Sequence, residues 1–319
     1  MTGLSVAKYG AEHRRVWDDF VKNSKNGVFL FERSYLEYHA DRFPDHSLLF
    51  RDDEDRLVAV LPATLRDEVL SSHAGLTFGG VVSDTRMKVE LMLEVFEAAR
   101  TYLQNQGVAK MIYKAIPHIY HRLPAEEDLY ALFRNGARLF RRDVSSTIDL
   151  KEKLPFTKGR KYALKLASRQ GLEVNRSLDF KTFMAIEGQV LETKYDAKPV
   201  HTDAEIEMLA QRFPENIKLF AASKAQEMLA GVVIYESSQV AHAQYIGVND
   251  NGKRLGGLDL IINYLINDYY RDKRYLDFGI STENNGRLLN NGLIGNKESF
   301  GGRAVVYDFY EFDLDQNPK

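Results

Sequence analysis

Residues 239–302 read QVAHAQYIGVNDNGKRLGGLDLIINYLINDYYRDKRYLDFGISTENNGRLLNNGLIGNKESFGG, and the order of elements in this stretch decides the fold. Val240–Val248 alternates apolar and polar residues, the pattern of a strand. Asn249-Asp250-Asn251-Gly252 supplies turn residues that stop it. Lys253-Arg254-Leu255-Gly256-Gly257 follows, and then Leu258, Ile261, Ile262, Leu265 and Tyr269 recur at helical spacing. A second strand, Tyr275–Ile280, comes directly behind. Backbone N–H groups at a helix start point outward unpaired and favour an anion. Glycines before that start let a diphosphate approach the backbone, and the two cations can neutralise it. The same glycines could simply make a tight turn in a βαβ crossover, and spacing alone favours that reading.

No G-x-G-x-x-G and no Walker pattern occurs here, which removes the commonest nucleotide-binding fingerprints. The stretch instead resembles the GNAT N-acyltransferase superfamily, in which a strand leads into an [RQ]-x-x-G-x-[GA] loop gripping the coenzyme A pyrophosphate. Downstream, Lys297-Glu298-Ser299-Phe300-Gly301-Gly302 resembles the K-x-x-F-G-G segment of Fem-type transferases, which carry two GNAT domains in one chain. The resemblance implies coenzyme A contacts from Tyr245, Ile246, Lys253, Arg254, Leu255, Gly256, Gly257 and Asn284. It also implies a pantetheine lying between the two strands, with the reacting carbonyl near Tyr245–Gly247.

Bulk properties agree with a soluble cytoplasmic enzyme. The chain has 319 residues, enough for two domains, and a net charge of −2, which gives no reason to expect a nucleic-acid partner. Cysteine is absent, so disulfides, thiolate metal sites and cysteinyl intermediates are excluded, and no metal is expected. Met1–Arg15 lacks the apolar core of a signal peptide, and no run approaches a membrane span.

The element order repeats. Ser47–Arg51, Leu57–Thr64, a segment through Ser72–Gly80, the helix Met87–Gln106 and Val108–Tyr113 match Leu219–Ala222, Leu229–Tyr235, Val240–Val248, Leu258–Tyr270 and Tyr275–Ile280. His73-Ala74 aligns with His242-Ala243 at an offset of 169 (242 − 73). A repeat of this kind changes the domain count. We therefore expect an α/β protein of two tandem GNAT-like domains, 1–150 and 151–319, with mixed central sheets flanked by helices. The first copy has Val81–Lys88 (VVSDTRMK) before its helix and no glycine pair, so the acyl-CoA site is expected in the second copy alone.

Acyl transfer to an amine requires that the acceptor lose a proton, that an oxyanion be stabilised and that a thiolate leave. Many GNAT proteins use a tyrosine acid in a helix after the second strand. The corresponding Asn284–Asn291, expected to be that helix, contains none. Lys297 is the candidate for stabilising negative charge. Glu283, His201, Glu298 and His121 are candidates for the base, and transfer through water with no essential base stays open. Arg160 and Lys161, with Lys165, form a basic helix face for a second diphosphate; His121, Tyr195, Asp196 and Lys198 complete the acceptor candidates. Over nearly its whole length the chain resembles hydroxybutanoyl-CoA-dependent enzymes that acylate a dTDP-linked amino-deoxy sugar in surface-polysaccharide (O-antigen or capsule) pathways. That implies a 3-hydroxybutanoyl or acetyl donor, a nucleotide-linked amino sugar as partner, and allows a homodimer. The alternatives are a Fem-type transferase drawing on aminoacyl-tRNA, disfavoured by the near-neutral charge, and a non-catalytic acyl-CoA-binding protein.

Overall fold

The computed structural model describes residues 3–195 and 199–315, and the chain forms two compact units. Unit 1 is Met1–Asp143 with Asn284–Leu288 and Val306–Lys319; unit 2 is Val144–Glu283 with Leu289–Val305. The first crossing therefore lies at Asp143–Val144 rather than at 150, inside a strand and not in a linker.

Unit 1 opens with β1 (Ser5–Lys8), α1 (Arg14–Asn23) and α2 (Arg33–Leu36). Next come β2 (Leu48–Arg51), β3 (Leu57–Leu61), β4 (Thr64–Arg66), β5 (Val69–Ser71) and β6 (Val82–Ser83). α3 (Val89–Asn105), β7 (Lys110–Lys114) and α4 (Glu127–Arg134) complete its N-terminal part. β1, β2, β3 and β6 pair in that order, all antiparallel. β5 pairs parallel with β7, Ser71 opposite Ile112. On α3, Met92, Val95, Phe96, Ala99 and Leu103 recur at helical spacing, and that stripe is buried in a core with Phe50, Val58 and Tyr113.

Unit 2 receives β8 (Arg138–Asp149) and continues through α5 (Lys158–Arg169), β9 (Glu173–Ser177), α6 (Phe180–Tyr195) and α7 (Asp203–Arg212). Its centre is β10 (Ile217–Lys224), β11 (Glu227–Glu236) and β12 (Val240–Val248), then α8 (Asp250–Leu255), α9 (Gly257–Tyr264) and β13 (Tyr275–Ile280). β14 (Thr282–Glu283), β15 (Leu288–Leu289), α10 (Asn291–Glu298) and β16 (Arg303–Asp313) close the chain. The sheet order in this unit is β8-β13-β12-β11-β10-β9. Only β12 and β13 run parallel, because the α8–α9 crossover joins them. One sheet face buries Ala241, Ala243, Leu276 and Phe278 against Ile261, Ile262 and Leu265. The opposite face carries α6.

Three local expectations need correction. The basic stretch after β12 is itself helical: Asn249 caps α8 by accepting from the Gly252 N–H, and Gly256 at φ 78° separates α8 from α9. The second helix ends early and runs into a π-turn at Leu265–Tyr269. Finally, Asn284–Asn291 is not a helix, because Asn284, Asn285 and Gly286 all have positive φ, which helical continuation forbids; the helix begins at Asn291. The Thr202/Glu205 capping box at α7 is present with both of its hydrogen bonds.

Candidate active site

The site begins where two strands part. β12 and β13 pair only from Val240–Tyr275 to His242–Asp277, although β12 continues to Val248 and β13 to Ile280. Two irregularities produce the opening. On the β11 side, Ile234 faces Ala243 and Val233 faces Tyr245, which leaves Gln244 as the extra residue of a bulge. On the β8 side, the register of β13 breaks between Asp277 and Ile280, around Gly279 at φ 75°. The edge of β12 beyond His242 is thus left without a strand partner on that side. Unpaired backbone donors and acceptors of this kind suit a linear amide chain adding as a further strand.

At the apex, His242 Nδ1 lies 2.7 Å from Asp277 Oδ2. Asp277 is fully buried and also accepts from the hydroxyls of Ser145 and Thr147, the latter at 2.8 Å. Burial opposes its ionisation, but the hydrogen bonds from His242, Ser145 and Thr147 outweigh that and hold its carboxyl below the usual range. Lys297, on α10, donates to the carbonyls of Gly279 (2.8 Å) and Ile280 (2.7 Å). It therefore clamps the irregular turn of β13. Its burial pulls the ammonium down to about 8, against the opposing pull of Asp277.

A second group lies on the α6 face. Tyr245 OH sits 2.6 Å from His201 Nδ1, and burial raises the phenol to about 12. Glu187 is only 6% exposed, and its Oε2 has no hydrogen-bond partner among the described residues. Gly247 makes this approach possible, since a Cβ there would sit 3.2 Å from the Phe183 ring and 3.3 Å from Glu187 Oε2. Burial alone lifts the Glu187 carboxyl to about 7. Sequence reading missed it, although Glu187 continues the apolar stripe Phe180, Phe183, Met184 of α6 and so interrupts a buried face with a carboxylate.

That burial has a measurable consequence. Between pH 4.5 and 7 the unfolded chain gives up the Glu187 proton while the folded chain keeps it, so stability falls as pH rises through this window. Glu187→Gln should match the wild type near pH 4 and exceed it at pH 8 by about 2–3 kcal/mol. Urea unfolding at the two pH values checks this, and equal differences at both would refute it.

The other expected site residues are placed as follows. Lys253 pairs with Asp250 (2.7 Å) and Arg254 with Asn251 (2.9 Å), both on the surface. Gly256 and Gly257 are buried and serve packing: a Cβ on Gly256 would lie 2.4 Å from the Ala163 carbonyl of α5, and one on Gly257 3.1 Å from Ala230. Leu255 packs beside Ala167, Leu172 and Leu229. Ile246 packs on the α9 face, and Asn284 is exposed in unit 1. Glu283 accepts from Asn290 at 2.8 Å and is exposed, as Glu298 is partly. Arg160 stacks 3.9 Å over Phe300, bonds Ser299 and pairs with Asp259 at 3.2 Å, a brace within the unit, while Lys161 is exposed. His121 belongs to unit 1, where its Nε2 lies 3.1 Å from the Ile116 carbonyl. Asp196 and Lys198, and the Tyr195 side chain, lie outside the described residues. A cleft of about 830 Å³ runs between α6 and the β9–β10 edge to Asn249; neither His242 nor Glu187 lines it, so it is separate from the strand opening.

A mixed sheet parted at a bulged strand, in a chain built of two like-ordered halves, is the tandem GNAT fold. Residues 158–285, which hold the opening, match the sequence model of the Acetyltransferase (GNAT) domain. No curated protein matches the chain in sequence. Among solved structures it is similar to FemX (TM-score 0.70, 11% identity, 98% of each chain covered). It is also similar to L-PGS from Bacillus licheniformis (TM-score 0.57, 12% identity, 89% of this chain and 93% of that one). A third likeness is to a tandem GNAT protein from the clavulanic acid biosynthesis pathway (TM-score 0.50, 12% identity, 98% and 99% covered). At such identities the likeness is one of fold. No helix among the described residues is long and apolar enough to cross a membrane.

Proposed function

We propose that the protein transfers an acyl group from coenzyme A to a primary amine, and that it does so at the opening between β12 and β13. The observation carrying this reading is the unpaired edge of β12 beyond His242, beside the Gln244 bulge. The pantetheine arm carries two amides, and a bare strand edge offers them N–H and C=O partners in register. A backbone N–H at the bulge is the expected donor to an oxyanion. Lys253 and Arg254, both exposed just past β12, supply cations for the diphosphate. Buried Gly256 and Gly257 contribute by letting α9 lie close to the sheet and to α5. For the acceptor we favour a nucleotide-linked amino-deoxy sugar and for the donor an acetyl or 3-hydroxybutanoyl thioester, both on the resemblance carried by Tyr113–His121, Pro124–Phe133, Thr193–Thr202 and Asp277–Gly302.

The test is thiol release. Acetyl-CoA and 3-hydroxybutanoyl-CoA are each offered with a panel of dTDP-linked amino-deoxy sugars. Release should require the amine and be indifferent to added tRNA. Transfer seen only with aminoacyl-tRNA would move the donor to the Fem-type alternative, and thioester binding without turnover of any amine would favour a non-catalytic binding protein.

A further inference from the structure

We infer that His242, oriented by Asp277, is the proton carrier of the transfer reaction, an assignment that rests on the coenzyme A reading above. Three features of the fold bring this about. His242 and Asp277 stand opposite each other at the last paired position of β12 and β13, so the imidazole sits at the floor of the opening. It is two residues before the Gln244 bulge, about 7 Å along the strand, within reach of a group held there. It points away from the face that buries Ala241 and Ala243, toward the side carrying Tyr245 and Glu187.

The ring's two nitrogens are in different situations. Nδ1 lies 2.7 Å from the buried carboxylate, which fixes the tautomer with its proton on Nδ1. Nε2 has no hydrogen bond among the described residues, and 16% of the side chain is exposed. Room beside it is kept by Gly279, where a Cβ would come within 3.3 Å of Cε1 and 3.9 Å of Nε2. Asp277 in turn cannot swing away, because Ser145 and Thr147 hold its other oxygen from β8.

Unit 1 contains the same position without the chemistry. His73 corresponds to His242 by position in the repeat, and the charged neighbour it has is Lys114, where His242 has Asp277. His73 is 1% exposed and its Nδ1 has no hydrogen-bond partner among the described residues; burial, with His39 and Lys114 nearby, pulls it down to about 3. A histidine with an aspartate partner and an open Nε2 can accept and return a proton; one buried beside a lysine cannot. Only unit 2 has kept the pair.

In the reaction, Nε2 accepts the N–H proton of the amine as its lone pair forms the C–N bond. The imidazolium then returns that proton to the sulfur as the C–S bond breaks. The products are an amide and a free thiol, and His242 is again neutral. Asp277 stays ionised and stabilises the imidazolium between the two steps.

The test uses the full chain with acetyl-CoA and whichever dTDP-linked amino sugar the wild type acylates. His242→Gln should lower kcat about 100-fold or more, with thioester affinity by calorimetry changed less than twofold. Added imidazole should restore part of the rate to His242→Gly. Histidine ¹⁵N spectra of the unliganded protein should show His242 protonated at Nδ1 and bare at Nε2. A wild-type rate in His242→Gln, or an Nε2–H tautomer, overturns the assignment while leaving the coenzyme A reading intact. A wild type that acylates no amine overturns both.

Discussion

Replacing Lys297 with methionine is expected to cost about 2–3 kcal/mol of stability and about 100-fold in kcat together. The lysine is 6% exposed and donates to two carbonyls, Gly279 and Ile280, at the irregularity in the pairing of β13 with β8. Methionine fills much of the same volume but offers no donor. Each stranded carbonyl then bears roughly 1–3 kcal/mol of desolvation, partly offset because a buried ammonium no longer has to be accommodated. The rate falls for a geometric reason. Gly279 lies beside His242, and a shift of about 1 Å in a positioning element costs on the order of 100-fold. The coupling separates two roles for this residue. If Lys297 acted only by stabilising negative charge in the transition state, Lys297→Met would lose activity while its urea midpoint stayed near the wild-type value. Unfolding and turnover measured on the same preparation decide between them, and a loss of stability under about 0.5 kcal/mol would refute the clamp.

What sequence could and could not reveal follows from the range of each interaction. The strand–helix–strand order of 240–280 is a matter of local periodicity, and it was readable along with the duplication. The strand opening depends on where pairing stops, which is a relation between residues about 35 apart, such as His242 and Asp277. No local pattern encodes it. The glycine pair shows a different limit. Gly256-Gly257 beside two cations has the composition of a phosphate loop, yet both glycines are spent on packing against Ala163 and Ala230. Composition reports that backbones approach something closely there, not whether it is a ligand or another helix. Glu187 was legible in principle, as a carboxylate on the buried stripe of α6. Its unpaired oxygen was not, because that depends on Gly247 across the sheet.

The remaining expectation is that coenzyme A saturates the chain at one equivalent, with any second binding at least about a thousandfold weaker, near 4 kcal/mol. The reason lies in how unit 1 treats the same opening. In unit 2 a single strand, β12, pairs first with β13 and then runs on beside β11 with one edge bare. In unit 1 the equivalent strand is split: β5 pairs parallel with β7, β6 pairs with β3, and residues 72–81 lie between them. Those intervening residues bond the edge of β7 directly. Gly79 donates to the Lys114 carbonyl at 3.0 Å, Ser72 Oγ accepts from the Lys114 N–H at 2.7 Å, and Tyr113 OH accepts from the Val81 N–H at 2.8 Å. Lys114, itself buried, ties the carbonyls of Ala74 and Leu76 to the same place. Backbone groups that a pantetheine would need are thus already satisfied within the chain, and each bond displaced would cost about 0.5–1.5 kcal/mol net. Several must break at once, which sets the thousandfold figure. Isothermal titration with coenzyme A gives the stoichiometry. Two equivalents of similar affinity would show that the 72–81 segment does not close unit 1, and that the difference between the halves has another cause.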